Sequence, residues 1–335
     1  MRVPPPRVLP LLVTGAVALL LILSVIAVAS GRYPMTLGDI LKSLQISVAG
    51  RGADMSDAVL WQIRLPRIAL ACLVGAALGS AGAAFQHLFR NPLVAPDTLG
   101  VSSGAALGAV LAIFAGASAV VAAFAAFGGG LVTVAVVTAL AARIGAHDRA
   151  LTLVLIGVVI ASLGGAAISL VKFLADPYNQ LPAITFWLMG SLAAATWGQV
   201  AIVAPAIVLA VIVLAALAWR INLLALAEDE AQALGVHVAY LRAVVITAAT
   251  VATAASVAVC GIVGWVGLVV PHMARLVAGP EFSRLLPLSA LFGAIFLLAI
   301  DTLARSATAI EIPPGILTAF IGTPLFLVLL ARRSL

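Results

Sequence analysis

Long apolar runs, broken by short polar or glycine- and proline-bearing stretches, are the dominant pattern of this chain. Lipid offers the backbone no hydrogen-bond partners, so such runs span a bilayer as helices, and their breaks can be counted. Ten runs follow one another, at roughly 8–30, 64–83, 97–116, 118–142, 151–174, 196–219, 240–260, 265–278, 285–305 and 314–331. The eighth is too short to cross unaided and carries Pro271, His272 and Arg275 near its end, which predicts a half-helix or a re-entrant piece. The first follows Arg2 and Arg7 and ends in the small residues Ala27-Val-Ala-Ser30, as a secretory signal does. Its 23 residues exceed a signal's apolar core of about 7 to 15, so it reads as a transmembrane helix, with cleavage as the alternative.

One polar stretch has a helix pattern of its own. Leu224-Ala-Leu-Ala-Glu-Asp-Glu-Ala-Gln-Ala-Leu-Gly235 lies between the sixth and seventh runs and holds three of the chain's twelve acids. Glu228, Asp229 and Glu230 fall in its first turn, where carboxylates suit the positive end of the helix dipole, and Gly235 follows as a C-terminal cap. A capped helix in a membrane protein's loop is placed to touch something.

Hydrophobic residues make up 64% of the 335 and charged ones 9%, with a mean hydropathy of +1.24, a balance no soluble core requires. The charge of +6 comes from eighteen Lys and Arg gathered at the ends of apolar runs, so the pattern excludes a nucleic-acid stripe and points to a membrane. Ten spans put both termini on one side. With the termini cytoplasmic, eleven of the eighteen basic residues fall inside: Arg2, Arg7, Arg90, Arg143, Arg149, Arg220, Arg242, Arg275, Arg284, Arg332 and Arg333. Five of the other seven, Arg32, Lys42, Arg51, Arg64 and Arg67, lie in the first outer loop and its junction with the second span. The acidic stretch then faces the cytoplasm.

Small residues recur at packing intervals, as at Gly75 and Gly79, Gly104 and Gly108, and Gly261, Gly264 and Gly267, which predicts closely approaching helices. Cys72 and Cys260 sit apart in apolar runs and read as small hydrophobes. His87-Leu-Phe-Arg90 and His272-Met-Ala-Arg275 form a faint internal echo.

A nucleotide-binding P-loop needs Gly-Lys-Ser/Thr, and the two lysines, Lys42 and Lys172, follow Leu41 and Val171. The chain cannot hydrolyse ATP by that route, so any nucleotide drive belongs to another subunit. Ion-coupled carriers place polar ligands deep in their spans, whereas Asp97, Asp176, Asp301 and Glu311 fall near span ends or in loops, which disfavours a secondary carrier. Asp301 and Arg305, four apart, share a helix face and form either a local ion pair or a transport or docking element. His87, His147, His237 and His272 are dispersed, so no metal site is predicted, and no nucleophile has a visible base, so no catalytic residue is assigned.

Several ordered motifs carry a family resemblance. Arg64-Leu-Pro-Arg67, Gln86, Arg90-Asn-Pro-Leu93, Ala95-Pro96, Leu99-Gly100 and Gly104-Ala105 are followed by residues 224–236 and by Gly264-Trp-Val-Gly-Leu-Val-Val-Pro-His-Met-Ala-Arg275. Asp301 with Arg305, Glu311-Ile-Pro-Pro-Gly315 and Gly322-Thr-Pro-Leu-Phe326 complete the set. Over residues 8 to 332 the chain resembles the FecCD-type permease subunit of iron-chelate and vitamin B12 ABC importers. The resemblance implies an all-α integral membrane protein with the type II importer architecture: one transmembrane domain over 1–335, about ten helices per subunit, in a homodimer with a path at the dimer interface. It also implies two partner ATPases that carry ATP and Mg, no cofactor in this chain, a periplasmic or lipid-anchored substrate-binding protein, and a bacterial or archaeal cytoplasmic membrane.

The same resemblance assigns the coupling segment at 224–236, with Leu226, Glu228, Asp229, Glu230, Ala231, Leu234 and Gly235 seated in a groove of the ATPase; the alternative is a solvated loop. It assigns Arg64, Arg67 and Arg305 to docking of the binding protein, with interfacial snorkelling as the alternative. Gly190 and Ser191 match a position near the path, and Phe186, Trp187 and Met189 either line it or anchor at the membrane interface. The implied cargo is a ferric siderophore, haem or cobalamin, with molybdate or tungstate carried by some relatives.

Overall fold

In the computed structural model the described residues are 8–31, 33, 35–36, 38, 42, 55–144, 149–226 and 228–331. Arg2, Arg7, Arg32, Arg51, His147, Arg332 and Arg333, part of the charge and histidine reading above, lie outside them. The regular elements of the described residues are all helices: α1 (Val8–Ala29), α2 (Met55–Leu88), α3 (Val101–Phe114), α4 (Ala119–Ile144), α5 (Arg149–Leu174), α6 (Gln180–Met189), α7 (Trp197–Ala216), α8 (Ala218–Leu223), α9 (Glu228–Ala233), α10 (Val238–Cys260), α11 (Val266–Ala278), α12 (Phe282–Ser306) and α13 (Pro314–Ala331). Seven are long and apolar enough to cross a membrane, and α3, α11 and α13 are shorter apolar helices. These ten coincide with the ten predicted runs.

Two elements differ from those runs, and a third start is fixed locally. The second span begins at Met55, not near 64, because a wide π-type turn at Val59–Arg64 joins a short leading helix to Pro66, whose fixed φ suits a helix start. Helix α6 occupies a connection that the apolar count left open. The turn before α7 is closed by a capping box, in which Thr196 Oγ1 accepts from Gln199 N–H at 3.2 Å and Gln199 Oε1 accepts from Thr196 N–H at 3.3 Å.

Helices α2, α10 and α12 form the centre, whereas α1, α4, α5 and α7 keep most of their apolar surface outward, as Leu155, Val159 and Phe173 of α5 do. Outward apolar faces have no solvent penalty in lipid, so association must come from close packing. The α2–α12 seam supplies it: a Cβ on Gly75 would lie 2.2 Å from the carbonyl oxygen of Gly293, and one on Gly293 would lie 2.0 Å from that of Gly75. Only hydrogen fits between these backbones.

Contacts sort the helix ends into two sets. The end of α1, the start of α2, the end of α12 and the approach to α13 meet through Arg64, Arg67 and Arg305. The end of α2, the start of α5, residues 222–242 and the start of α12 meet at the opposite end. Between the ends, two non-helical segments enter the bundle. Residues 91–100 climb until Thr98 and Leu99 pack on Gly157, two turns into α5, and Pro96 meets Gly267, which begins α11 after the extended stretch 261–264. Helix α11, at about 20 Å, is the half-length piece its sequence predicted.

The seam gives a direct test. Gly75→Val is expected to cost about 1–3 kcal/mol or more through overpacking, whereas Gly165→Val on α5, where no atom lies within 4 Å, leaves stability unchanged. Thermal unfolding in detergent measures both; equal loss in the two variants would contradict close approach as the source of the packing.

Candidate functional site

At one end, three arginines and two carboxylates form a cluster that the primary structure scatters over 247 positions, from Arg64 to Glu311. Arg67 is its hub. Its Nε donates to both Asp301 oxygens at 3.0 Å, and Nη1 and Nη2 donate to the two Glu311 oxygens at 3.1 and 3.0 Å, a bidentate match to the planar guanidinium. Arg305 Nε lies 3.8 Å from Asp301 and its Nη1 donates to Ser30 O at 2.7 Å, while Nη2 donates to Ala27 O. Arg64 donates to Val28 O and Tyr33 O. Carbonyls left open at the end of α1 are thus satisfied by guanidinium groups.

This arrangement changes the reading of Arg64, Arg67 and Arg305. The resemblance offers them to a partner; here all three are buried, at 4, 6 and 7% exposure, and most of their donors are engaged within the chain, while Arg305 Nε has no hydrogen-bond partner among the described residues. Removing them from water is tolerable only because each is paired, so an outward-reaching conformation would leave Asp301, fully buried, without its partners. They frame this end of the bundle. The i,i+4 pair of Asp301 and Arg305 exists, but the stronger partner of Asp301 is Arg67, on another helix.

The candidate path segment sits at the same end. Met189 ends α6, Gly190 turns the chain, and Ser191 N–H donates to Cys260 O at 2.8 Å, fixing the segment to the end of α10. Phe186 is exposed at 67%, Ser191 is exposed, and Met189 is half-buried, whereas Trp187 packs among Ala105, Ala109, Ala126 and Val257. Phe186 and Ser191 are therefore exposed, Met189 and Trp187 partly so, and Gly190 is buried.

At the opposite end, α9 runs from Glu228 to Ala233 within the predicted 224–235 stretch. Gly235, at φ +80°, closes it, with Gly235 N–H donating to Gln232 O at 2.9 Å and Val236 N–H to Ala231 O at 3.1 Å, the carbonyl-capping pattern of a left-handed helix end. Ala231 is the buried anchor; Leu226, Glu228, Asp229, Glu230, Leu234 and Gly235 are exposed. The helix is tied down at its flanks, where Asn222 Oδ1 accepts from Phe282 N–H at 2.7 Å and Glu228 lies 3.8 Å from Arg242. It presents an acidic and apolar face on a fixed base.

Two features escaped the sequence reading. Arg90 reaches the acidic segment, donating from Nε to Leu224 O at 2.8 Å and from Nη2 to Leu226 O. Asp97, on the inner turn Pro96–Leu99, is exposed as a residue although that turn lies inside the bundle, and its Oδ1 accepts from Ser102 Oγ. Only the placement of 91–100 within the bundle reveals it.

The FecCD transport family model matches residues 19–332. The chain is 40% identical to the molybdate import system permease protein of Haemophilus influenzae, over 98% of this chain and 97% of that one. It is 43% identical to the cobalamin import system permease protein of Halobacterium salinarum, over 84% of this chain and 75% of that one. A solved structure described as the inward-facing conformation of a metal-chelate type ABC transporter superposes with a TM-score of 0.88 at 40% identity, covering 96% of this chain and 99% of that one.

The ion cluster predicts an order of sensitivity. Asp301→Asn, at a fully buried position beside Arg67 and Arg305, is expected to cost about 3–5 kcal/mol, and Glu311→Gln, whose side chain is one-third exposed, distinctly less because solvent screens it. Unfolding midpoints of the two variants in detergent give the comparison; a larger loss for Glu311→Gln would reverse the assignment of Asp301 as the buried keystone.

Proposed function

The chain belongs to the FecCD transport family of ABC importer permeases, and on that premise we propose that it moves a metal chelate across the cytoplasmic membrane, driven by ATPase subunits that bind at α9. The observation that carries this reading is the acidic helix itself: an anchored, exposed element at the end of the bundle opposite the arginine cluster. A permease without a P-loop must receive its work mechanically. Closure of a nucleotide-bound ATPase pair around α9 would push on α8 and α10, which flank it directly in the chain. The positive-inside distribution supports a cytoplasmic position for this end, and with it for both termini.

The binding protein then docks on the arginine-cluster end. An open concavity of about 420 Å³ lies there, lined by Gly31, Arg305, Ser306, Thr308 and Ala309. Arg305 contributes at that surface, and Arg64 and Arg67 act behind it, by holding α1, α2 and α12 in register and by giving this end a positive field that steers an acidic partner. A second copy of the chain completes the path.

Chelate cargo is favoured by the chemistry facing that path. Phe186, Met189 and Ser191 offer an aromatic ring, a thioether and a hydroxyl, with no basic residue among them to hold an anion. Weak, apolar contacts suit passage of a bulky complex better than retention. A molybdate or tungstate cargo is the second reading, favoured by the molybdate permease that matches nearly the whole chain. Uptake of a radiolabelled ferric siderophore, haem, cobalamin or molybdate into vesicles, each with its binding protein, decides between them; molybdate alone being taken up would establish the second.

The coupling role has its own test. Replacing Glu228, Asp229 and Glu230 together with alanine is expected to abolish uptake while the ATPase subunits continue to hydrolyse ATP. Unchanged uptake per ATP in reconstituted vesicles would refute the assignment of α9.

A further inference from the structure

The geometry assigns Arg90 as the residue that links the acidic coupling segment to the re-entrant loop 91–100, so that movement of one is passed to the other; we infer this on the basis of the coupling role proposed for α9. Arg90 stands at the junction of three elements. It follows the last turn of α2, with its N–H donating to His87 O at 3.2 Å, and it opens the loop that climbs to Asp97. Its side chain leaves the loop altogether and grips the approach to α9 by two backbone carbonyls, Leu224 O and Leu226 O. Backbone carbonyls carry no side-chain identity, so a fork of donors that engages two of them tracks the path of the segment itself.

The backbone at Arg90 supports the assignment. Its φ of +49° places it in the left-handed region, and among the described residues Trp265 is the other non-glycine there. A β-carbon-bearing residue holds that conformation when its surroundings fix it. Here the next residue continues the constraint: Asn91 N–H donates to Gln86 O at 3.1 Å, and Asn91 Oδ1 accepts from Leu93 N–H at 2.9 Å, so the first turn of the loop is stiff from its root. The stiff turn leads into Pro96–Leu99, which rests on Gly157 of α5 and on Gly267 at the head of α11. Trp265 lies just before that head. A displacement of Leu224–Leu226 is therefore delivered through Arg90 to the loop that carries Asp97, and to the two short helices that begin beside it.

The space around the contact leaves room for such motion. A cavity of about 510 Å³ opens beside Arg90, Leu226, Glu228 and Arg242. The segment is anchored by the buried side chains of Leu224 and Ala231 and by the two bonds from Arg90, while Leu226 and most of α9 between them are exposed.

The test uses the whole importer, with ATPase and binding protein, in vesicles. Arg90→Ala is expected to lower uptake per ATP hydrolysed by about tenfold or more, the scale of losing two charge-assisted hydrogen bonds, with ATP hydrolysis retained. Arg90→Lys, which keeps the charge but not the fork, is expected to fall between, and it supplies a folded comparison if the alanine variant assembles poorly. A readout independent of cargo comes from Asp97→Cys in a Cys72→Ala, Cys260→Ala background. Its labelling by a membrane-impermeant thiosulfonate is expected to change on trapping with ATP and vanadate, and Arg90→Ala to abolish that change. Normal uptake per ATP together with a normal labelling change in Arg90→Ala would overturn the proposal. If the triple alanine variant of α9 uncouples transport while Arg90→Ala does not, the link alone fails; if neither uncouples, the coupling reading fails with it.

Discussion

Burying a charge inside a membrane protein is tolerable only when its partners are buried with it, and the Arg67 guanidinium is where this chain meets that condition. It is held between Asp301 and Glu311 on one side of the bundle's centre, with Arg305 and Arg64 extending the cluster to the open carbonyls of α1. The four chain segments joined there fix how α1, α2, α12 and α13 meet. From that fixed end the α2–α12 seam runs inward, where Gly75 and Gly293 let the two backbones touch. The same seam continues to Gly82 against Gly267, the start of α11. A charge cluster at one end and a glycine seam beneath it thus set the frame around which the outer helices are arranged.

Against this rigid frame the opposite end is built differently. The acidic helix is short, capped by Gly235, anchored by Ala231 and otherwise exposed. To the buried side chains of Leu224, Ala231 and Val236 it adds directed bonds from Arg90 and Asn222 on its N-terminal approach, beside an open cavity. An importer needs this contrast, since work delivered at one end must move a path without dissolving the packing that contains it. The non-helical segments 91–100 and 261–264 enter the bundle between these two ends, and Asp97 stands on the first of them with its carboxylate accepting from Ser102.

Much of the fold was legible in the sequence because lipid imposes one solution on a long apolar run. The ten runs became ten helices with ends displaced by a few residues, apart from the second, where Pro66 and the wide turn before it hid an earlier start. The acidic stretch was equally legible, since a dipole-matched first turn and a terminal glycine are local signals. Pairing was not. Arg64, Arg67 and Arg305 were identifiable as a motif, but whether each faces a partner or the core depends on distant groups: Arg67 meets carboxylates more than two hundred positions on, and Arg64 and Arg305 meet the carbonyls of α1. Arg90 and Asp97 were hidden for the same reason: one acts on carbonyls, which every residue has, and the other gains meaning from the depth of its loop.

The central claim is that this permease converts ATP hydrolysis on its cytoplasmic side into inward movement of cargo delivered at the arginine-cluster end. The most direct measurement is cargo accumulation in vesicles of defined orientation, with ATP supplied only on the side of α9 and the cargo-loaded binding protein only on the opposite side. Accumulation that requires both, and that stops when the two are exchanged across the membrane, is the predicted result. Accumulation driven by a proton or sodium gradient without ATP would contradict the account.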